Sequence, residues 1–454
     1  MKNENSCDKT NYIIFFDFCK SLAIIEHMIN LARLKTFAQK FLPKRALGVY
    51  HLALALFAAL YYGNPSRRLK VIGITGTNGK STTAIMAAKI LKEAGYKVAL
   101  SSSIEFEIGD KLWKNNSRMT MPGRFALQKF LRRAADAECR YAVIEISSEG
   151  IAQHRHRFID FELAVITNVT PEHIESHGSF EKYRAAKGKL FESCKKIHVI
   201  NGDDANFDFF AKFAAKNKYI YAIGGSNQNA VGNKRIFARN ATPLAGGVSF
   251  EVEETQFKLR LPGEFNVYNA LAAICATRSQ GVNLGVCRAA LEKIRIVPGR
   301  MERVIAEPFE VFIDYAVTPD SLEKCYQALK SGLEGKLICV LGACGGGRDK
   351  WKRPVMGNLA KKYCDMVVLA NEDPYDEDPM AIINQIACES ESGIKKIEDR
   401  REAIREALKS ARRGDRVVIT GKGCEDSMCV AGGKKIKWND KTAVLEEMEK
   451  MESD

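Results

Sequence analysis

The chain has 454 residues, 46% of them hydrophobic and 27% charged, with no low-complexity or heptad-repeat segment. These proportions exclude a fibre or a disordered chain and leave room for two or three domains with sizeable cores. A formal net charge of +14, from 69 basic and 55 acidic residues, suits anionic partners such as nucleic acid, a membrane surface or phosphorylated metabolites.

Residues 1–66 read as a helical segment, broken at Pro43 and at Gly63-Asn64-Pro65. Residues 12–25 are apolar but carry Asp17 and Lys20 and lack a small-residue cleavage site, so no signal peptide is expected. The run at 52–62, LALALFAALYY, is too short to span a bilayer and reads as a buried helix. From Leu69 strand-like and helix-like runs alternate: KVIGIT, a helix, KVALSSS, a helix at 124–137, YAVIEIS and LAVITNV. That alternation predicts a mainly parallel sheet covered by helices.

At 246–262 the segment GGVSFEVEETQFKLRLPG looks like antiparallel strands, and the helix FNVYNALAAICATRSQG follows. After VPGRMERV the alternation restarts with EVFIDYA, KLICVLGA, DMVVLANED and RVVITGKG, separated by helices near 319–331, 354–363, 379–390 and 400–412. The expected fold is α/β: a P-loop central domain over 67–298 and a Rossmann-like domain over 299–454, preceded by the short helical segment 1–66. Thirteen cysteines, an odd number without CxxC spacing, argue against a disulfide framework or a zinc ribbon; reduced thiols in the cytoplasm are expected.

Chemistry concentrates first at 67–81, RRLKVIGITGTNGKS, where glycines at 73, 76 and 79 precede Lys80 and Ser81. Glycines let a turn approach phosphate oxygens, and the N–H groups of the following helix point at the anion. Gly76, Thr77, Asn78, Gly79, Lys80, Ser81 and Thr82 are therefore expected to bind a nucleotide triphosphate, Lys80 at its terminal phosphates and Ser81 at magnesium. Strict P-loop spacing requires glycine at 74, which is Ile74, so this is a shorter variant, GxxGxxGKS.

Residues 141–191 form a second polar concentration, with four of the seven histidines between 154 and 177 beside Glu145, Glu172 and Glu175. Glu145, at a strand end, suits magnesium. His173 alone would be a surface or hydrogen-bonding residue, since magnesium prefers oxygen.

TGTNGKS, EISSEGIAQHR, TNVTPEHIESHGSFEKYRAAKGKLF, LPGEFNVYNALAA, VPGRMERV, DYAVTPDSLE, GGGRDKWKRPVMG and GKGCEDSM, in that order over residues 67–446, closely resemble the Mur ligases. The resemblance is strongest to the branch that adds the third residue of the peptidoglycan stem peptide. It implies an ATP-dependent acid–amino acid ligase: a carboxylate takes the γ-phosphoryl group of ATP to give an acyl phosphate, which the incoming amino group attacks. It also implies two magnesium ions, with Lys80, Ser81 and Glu145 at triphosphate and metal, His173 at the second ion, and Lys187 carbamylated by carbon dioxide to help hold that ion. Taken alone, Lys187 reads as a solvated helix lysine.

By the same resemblance Asn269 lies near the adenine, Asp314 and Tyr315 contact the nucleoside, and Arg300 approaches the phosphates. Thr120, Ser147 and Arg155 would hold the UDP-muramoyl peptide; Arg353, Asp373, Gly421 and Glu425 would form the pocket for the amino acid. The partners implied are these small molecules, without nucleic acid or a membrane span, for a cytoplasmic monomer.

Several positions depart from the family. Val317 and Cys424 replace histidines, and the motif DNPR, typical of enzymes that accept diaminopimelate, is EDPY at Glu372 to Tyr375. Losing that arginine favours lysine or another basic amino acid. A short helical segment stands where relatives carry a domain that grips uridine diphosphate, which keeps open a related ligase acting on another amino-acid polymer, of the cyanophycin or poly-γ-glutamate type. Outside the class, a nucleic-acid-binding P-loop ATPase would interleave aromatic with basic residues, and no such run occurs. A non-catalytic scaffold would be expected to have lost Lys80, Glu145, His173 or Lys187, and all four are present.

Overall fold

In the computed structural model, which describes residues 44–117, 119–224, 234–244, 246–387 and 393–453, the chain is organised around two large sheets. The larger holds β1 (Lys70–Thr75), β2 (Val98–Ser101), β3 (Glu105–Ile108), β4 (Lys111–Lys114), β5 (Tyr141–Glu145), β6 (Phe161–Ile166), β7 (Ile197–Asn201), β8 (Asn217–Ile223), β9 (Lys234–Leu244), β10 (Gly247–Val252) and β11 (Thr255–Leu259). Their order is β11-β10-β9-β8-β7-β6-β1-β5-β2-β3-β4. The strands from β2 to β9 in that order are parallel, and the outer pairs at both edges are antiparallel.

β1, KVIGIT, is buried beyond its first residue, as a strand covered on both faces must be. Its side chains alternate: Ile72 and Ile74 join a core with α2 (Lys80–Glu93) and Phe265–Arg278, while Val71 joins one with α3 (Arg124–Asp136) and α4 (Phe180–Ser193). The helix Phe265–Arg278 is α5.

The smaller sheet holds β12 (Glu302–Ile305), β13 (Glu310–Asp314), β14 (Leu337–Leu341), β15 (Met366–Leu369), β16 (Ile394–Lys396) and β17 (Arg416–Thr420) in the order β12-β13-β17-β14-β15-β16. Only β12 runs antiparallel. Helices fall at Pro319–Lys330 (α6), Lys352–Tyr363 (α7), Pro379–Ala387 and Arg400–Ser410 (α8), close to the expected spans. A Thr318–Ser321 capping box with Pro319 in the first turn starts α6.

The mixed α/β architecture agrees with the sequence reading, but β3, β4, β7, β8 and β9 extend the larger sheet beyond the strands expected. The segment EFEIGDKLWK folds as a hairpin about Gly109-Asp110, and β7 and β8 add to the parallel run. The apolar run at 52–62 does form a helix, Lys44–Tyr61, yet only one of its faces is buried. The reading of residues 12–25 lies outside the described residues. Among the described residues no helix is long and apolar enough to cross a membrane.

Candidate active site

Carboxyl ends of strands from both sheets open into one continuous cleft of about 1550 Å³. The loop from β1 to α2 forms one side. Gly76 and Gly79 have φ of +151° and +81°, and a Cβ would sit 1.8 Å from Thr167 Oγ1 at the first and 2.2 Å from Asn269 Oδ1 at the second. A side chain at either position would collide with the residues that back the cradle.

Cations surround that loop. Lys80 Nζ donates to the carbonyls of Gly76 (3.0 Å) and Thr77 (2.8 Å), and Lys187 Nζ donates to the same Gly76 carbonyl at 2.7 Å while lying 4.5 Å from the centre of the Tyr183 ring. Burial pushes both amines below the usual lysine range; Glu145 pulls Lys80 back up, and Lys80 drives Lys187 further down. Arg300 stacks 4.5 Å above the Tyr315 ring, its buried Nε without a hydrogen-bond partner. Among the described residues, none of these three cations forms an ion pair. Part-buried cations without carboxylates, as Lys80 and Arg300 are, fit an anion with several charges.

Glu145 ends β5 fully buried, just behind the cleft wall, accepting from Ser103 N and Ser103 Oγ, both at 2.9 Å. Thr120 Oγ1 lies 3.1 Å from the same Ser103 hydroxyl. Ser147 caps the short helix Ser148–Ala152, accepting from Gly150 N. Arg155 crosses the cleft wall to Gln153 Oε1 and the Met121 carbonyl. Burial first, then Arg348, lowers the His173 pKa to about 3, so its imidazole is neutral at pH 7; Nδ1 lies 3.8 Å from Glu149.

Loop 345–352 of the smaller-sheet side clasps the helix Ile174–His177. Asp349 accepts from Ile174 N (3.1 Å) and Glu175 N (2.9 Å), Glu175 accepts from Lys350 N, and Lys352 pairs with Glu172 at 3.0 Å. Glu172 Oε2 is buried without a partner, and burial raises the pKa of the group. Asn78 Nδ2 adds a second tie, donating to Asp320 Oδ2 at 2.8 Å.

Every expected site residue except Glu145 and Arg353 lines the cleft. Arg353 is a correction. Its guanidinium is fully buried, held by Glu377 Oε2 (3.0 Å), Gln385 Oε1 (2.6 Å) and the Cys344 carbonyl (3.0 Å). The helical turn that sends Lys352 to Glu172 turns its neighbour inward. Arg348, in the glycine-rich loop before α7, lines the cleft instead. Asn269, expected near the adenine, braces Gly79 from behind and takes a hydrogen bond from Thr83 Oγ1.

In the pocket beyond Tyr315, Lys422 is fully buried between Asp373 (2.8 Å) and Glu425. Asp373 Oδ1 also accepts from Cys429 N, so its carboxylate is committed at both oxygens. Asp314 accepts from Met301 N, and burial raises its pKa to about 6. Glu372 was not singled out as a binding residue, yet it lines the cleft against Gly421, and burial raises its pKa to about 7 against the pull of Arg400 and Lys422. Its position three residues after the carboxyl end of β15 was the available signal.

The Mur ligase middle domain matches residues 74–277, and the Mur ligase glutamate ligase domain matches 299–423. The chain belongs to the Mur ligase family. It is an ATP-dependent ligase that forms carbon–nitrogen bonds in peptidoglycan precursor synthesis, which displaces the nucleic-acid-binding ATPase reading. A UDP-N-acetylmuramyl-tripeptide synthetase of Roseiflexus sp. is 38% identical over 417 residues, covering 86% of this chain and 80% of its own. A UDP-N-acetylmuramoyl-L-alanyl-D-glutamate--2,6-diaminopimelate ligase of Clostridium botulinum is 37% identical over 408 residues, covering 87% and 81%. Among solved structures, a UDP-N-acetylmuramoyl-L-alanyl-D-glutamate--2,6-diaminopimelate ligase superposes with a TM-score of 0.58 at 30% identity over 85% of this Mur ligase and 79% of that chain. A folylpolyglutamate synthase of Mycobacterium tuberculosis shares the fold, with a TM-score of 0.66 at 19% identity over 82% and 92%.

Proposed function

We propose that this Mur ligase adds the third residue of the stem peptide, joining an amino acid to the free carboxylate of a UDP-N-acetylmuramoyl-dipeptide. The observation that carries the reading is the glycine cradle flanked by Lys80 and Arg300, two cations with no ion-pair partner among the described residues, with the buried amine of Lys187 on the Gly76 carbonyl beside them. A triphosphate would supply the missing charge. Phosphorylation gives a carboxylate, a poor electrophile at neutral pH, a leaving group; Lys80 and Arg300 would then neutralise charge on the transferring phosphoryl group.

Magnesium would be held by Ser81, Glu145, His173 and Lys187 as its carbamate, and it supplies charge neutralisation at the phosphates. Among the described residues no three His, Cys, Asp or Glu side chains gather as a ready metal cage, but magnesium bound with water and phosphate needs only one or two carboxylates. Lys187 suits the carbamate because burial lowers the pKa of its amine and so favours the neutral form, which attacks carbon dioxide with loss of a proton. Thr120, Ser147 and Arg155 on the larger-sheet side would position the muramoyl peptide.

For the amino acid, Arg348 would meet the α-carboxylate, with Glu372 and Glu425 facing cationic groups. Tyr375 stands where an arginine would meet a distal carboxylate, which favours lysine or another basic amino acid over diaminopimelate. The test is phosphate release by the purified protein with magnesium, ATP, UDP-N-acetylmuramoyl-L-alanyl-D-glutamate and a panel of amino acids. Stimulation by a basic amino acid supports the full reading; stimulation only by diaminopimelate sinks the specificity; none above the acceptor-free rate sinks the step. In the same assay Lys187→Ala should lose activity and the parent should depend on bicarbonate; an unaffected variant rules out the carbamate.

A further inference from the structure

The helix Lys44–Tyr61 (α1) packs one face on α3. His51, Ala55, Ala58 and Ala59 are buried there, and Phe57 and Tyr61 meet Phe125 at centroid distances of 5.9 and 6.5 Å. The opposite face is apolar and exposed. Val49 is 68% exposed, Leu56 42% and Leu60 51%, with Ala53 exposed between them. At 3.6 residues per turn these four positions, spaced i, i+4, i+7 and i+11, lie within about 60° of one another. Soluble helices place charges on such a face, and this one carries none.

In the sequence, charge flanks the stripe instead. Between residues 44 and 68 the sequence has Lys44, Arg45, Arg67 and Arg68 and no Asp or Glu, with cations at both ends of the helix. Arg67 and Arg68 are exposed, as are Lys129, Arg132 and Arg133 on the neighbouring α3. A Cβ on Gly63 would lie 3.4 Å from Arg132 Nη1, which puts α3's basic face beside the carboxyl end of α1. The one carboxylate engaged there, Asp136, is shared by Arg68 and Arg132.

We propose that this face docks the Mur ligase on an anionic lipid bilayer, α1 lying in the interface plane with Val49, Ala53, Leu56 and Leu60 among the acyl chains and the arginines at the headgroups. Charge complementarity selects this occupant. A second copy would bring the same excess of positive charge against the first, whereas anionic headgroups neutralise it. Among the described residues no helix is long and apolar enough to span, and the attachment proposed is peripheral and reversible.

The test is co-sedimentation of the full chain with vesicles of equal parts phosphatidylglycerol and phosphatidylcholine, against vesicles of phosphatidylcholine alone. Binding should be confined to the anionic vesicles, weaken as salt is raised, and fall at least tenfold in L56E/L60E. Arg67→Glu should reduce binding less, since it removes charge and leaves the apolar stripe. L56E/L60E alters exposed positions outside the cleft, so its unfolding temperature and ATP-dependent phosphate release should match the parent. Undiminished binding by that variant, equal binding to neutral vesicles, or a parent dimer in light scattering that L56E/L60E dissociates would each overturn the proposal.

Discussion

The phosphate cradle and the pocket around Lys422 face one another across the cleft, but they are built on different principles. The cradle is made of backbone: two glycines in left-handed or extended positive-φ geometry, a carbonyl shared by two lysines, and an asparagine packed where a Cβ would stand. The pocket is made of side-chain charge, with Lys422 between Asp373 and Glu425 and Glu372 beside them. Steric construction tolerates no substitution, whereas an ion-pair cluster can exchange members and keep its shape.

Breaking the cradle should have the largest effect. Gly79→Ala forces φ of +81° on a residue with a Cβ that meets Asn269 Oδ1, and should lower kcat/KM on the order of a thousandfold while leaving the unfolding transition nearly in place. Phosphate-release kinetics beside thermal unfolding check both halves. A loss below tenfold would show the cradle to be as tolerant as the pocket.

On the pocket side the scaffold is a buried ion pair. Arg400 binds Asp440 through two contacts of 2.8 Å, both side chains almost fully buried, and reaches the Thr420 carbonyl just before Gly421. Asp440→Asn should cost about 3–5 kcal/mol in urea unfolding, because it leaves the buried guanidinium uncompensated. Lys422→Met should be milder and selective, raising KM for the amino acid roughly tenfold, about 1.4 kcal/mol, with KM for ATP unchanged. Equal effects on both substrates would mean that cradle and pocket do not act separately.

The smallest expected effect concerns pH. The Glu372 pKa is raised to about 7 in the folded chain by burial, so between about 4.5 and 7 the native state holds a proton that the unfolded state has released. This group's contribution to stability is therefore fully present below that window and is lost as pH rises through it. Glu372→Gln should flatten the fall in unfolding temperature over the same interval; an unchanged slope would place the titration elsewhere.

Much of this was legible in the chain. Short apolar runs bounded by glycine fixed the central parallel strands, and ordered motifs placed Lys80, His173, Lys187, Arg300 and Tyr315 around one cleft. Other features were not legible, for reasons of direction and distance. Arg353 and Lys352 are neighbours in sequence, and only the phase of α7 decides which faces the cleft. Asn269 meets Gly79 across 190 residues of chain, so its bracing role exists only once α5 is packed on α2. β3 and β4 are only four residues each, so their alternation about Gly109-Asp110 is a short signal, and they are ordered as a hairpin on the sheet edge.

By itself, the sequence determined the α/β fold class, the phosphate loop and the residue types around it, because periodicity and glycine placement are local properties of the chain. The tertiary structure decided which charges lack partners. Desolvation and pairing depend on every element that surrounds a group, and those conditions left Lys80 and Arg300 awaiting an anion, buried the Lys187 amine, committed Arg353 and Asp373 elsewhere, and turned an apolar helix face outward beside arginines.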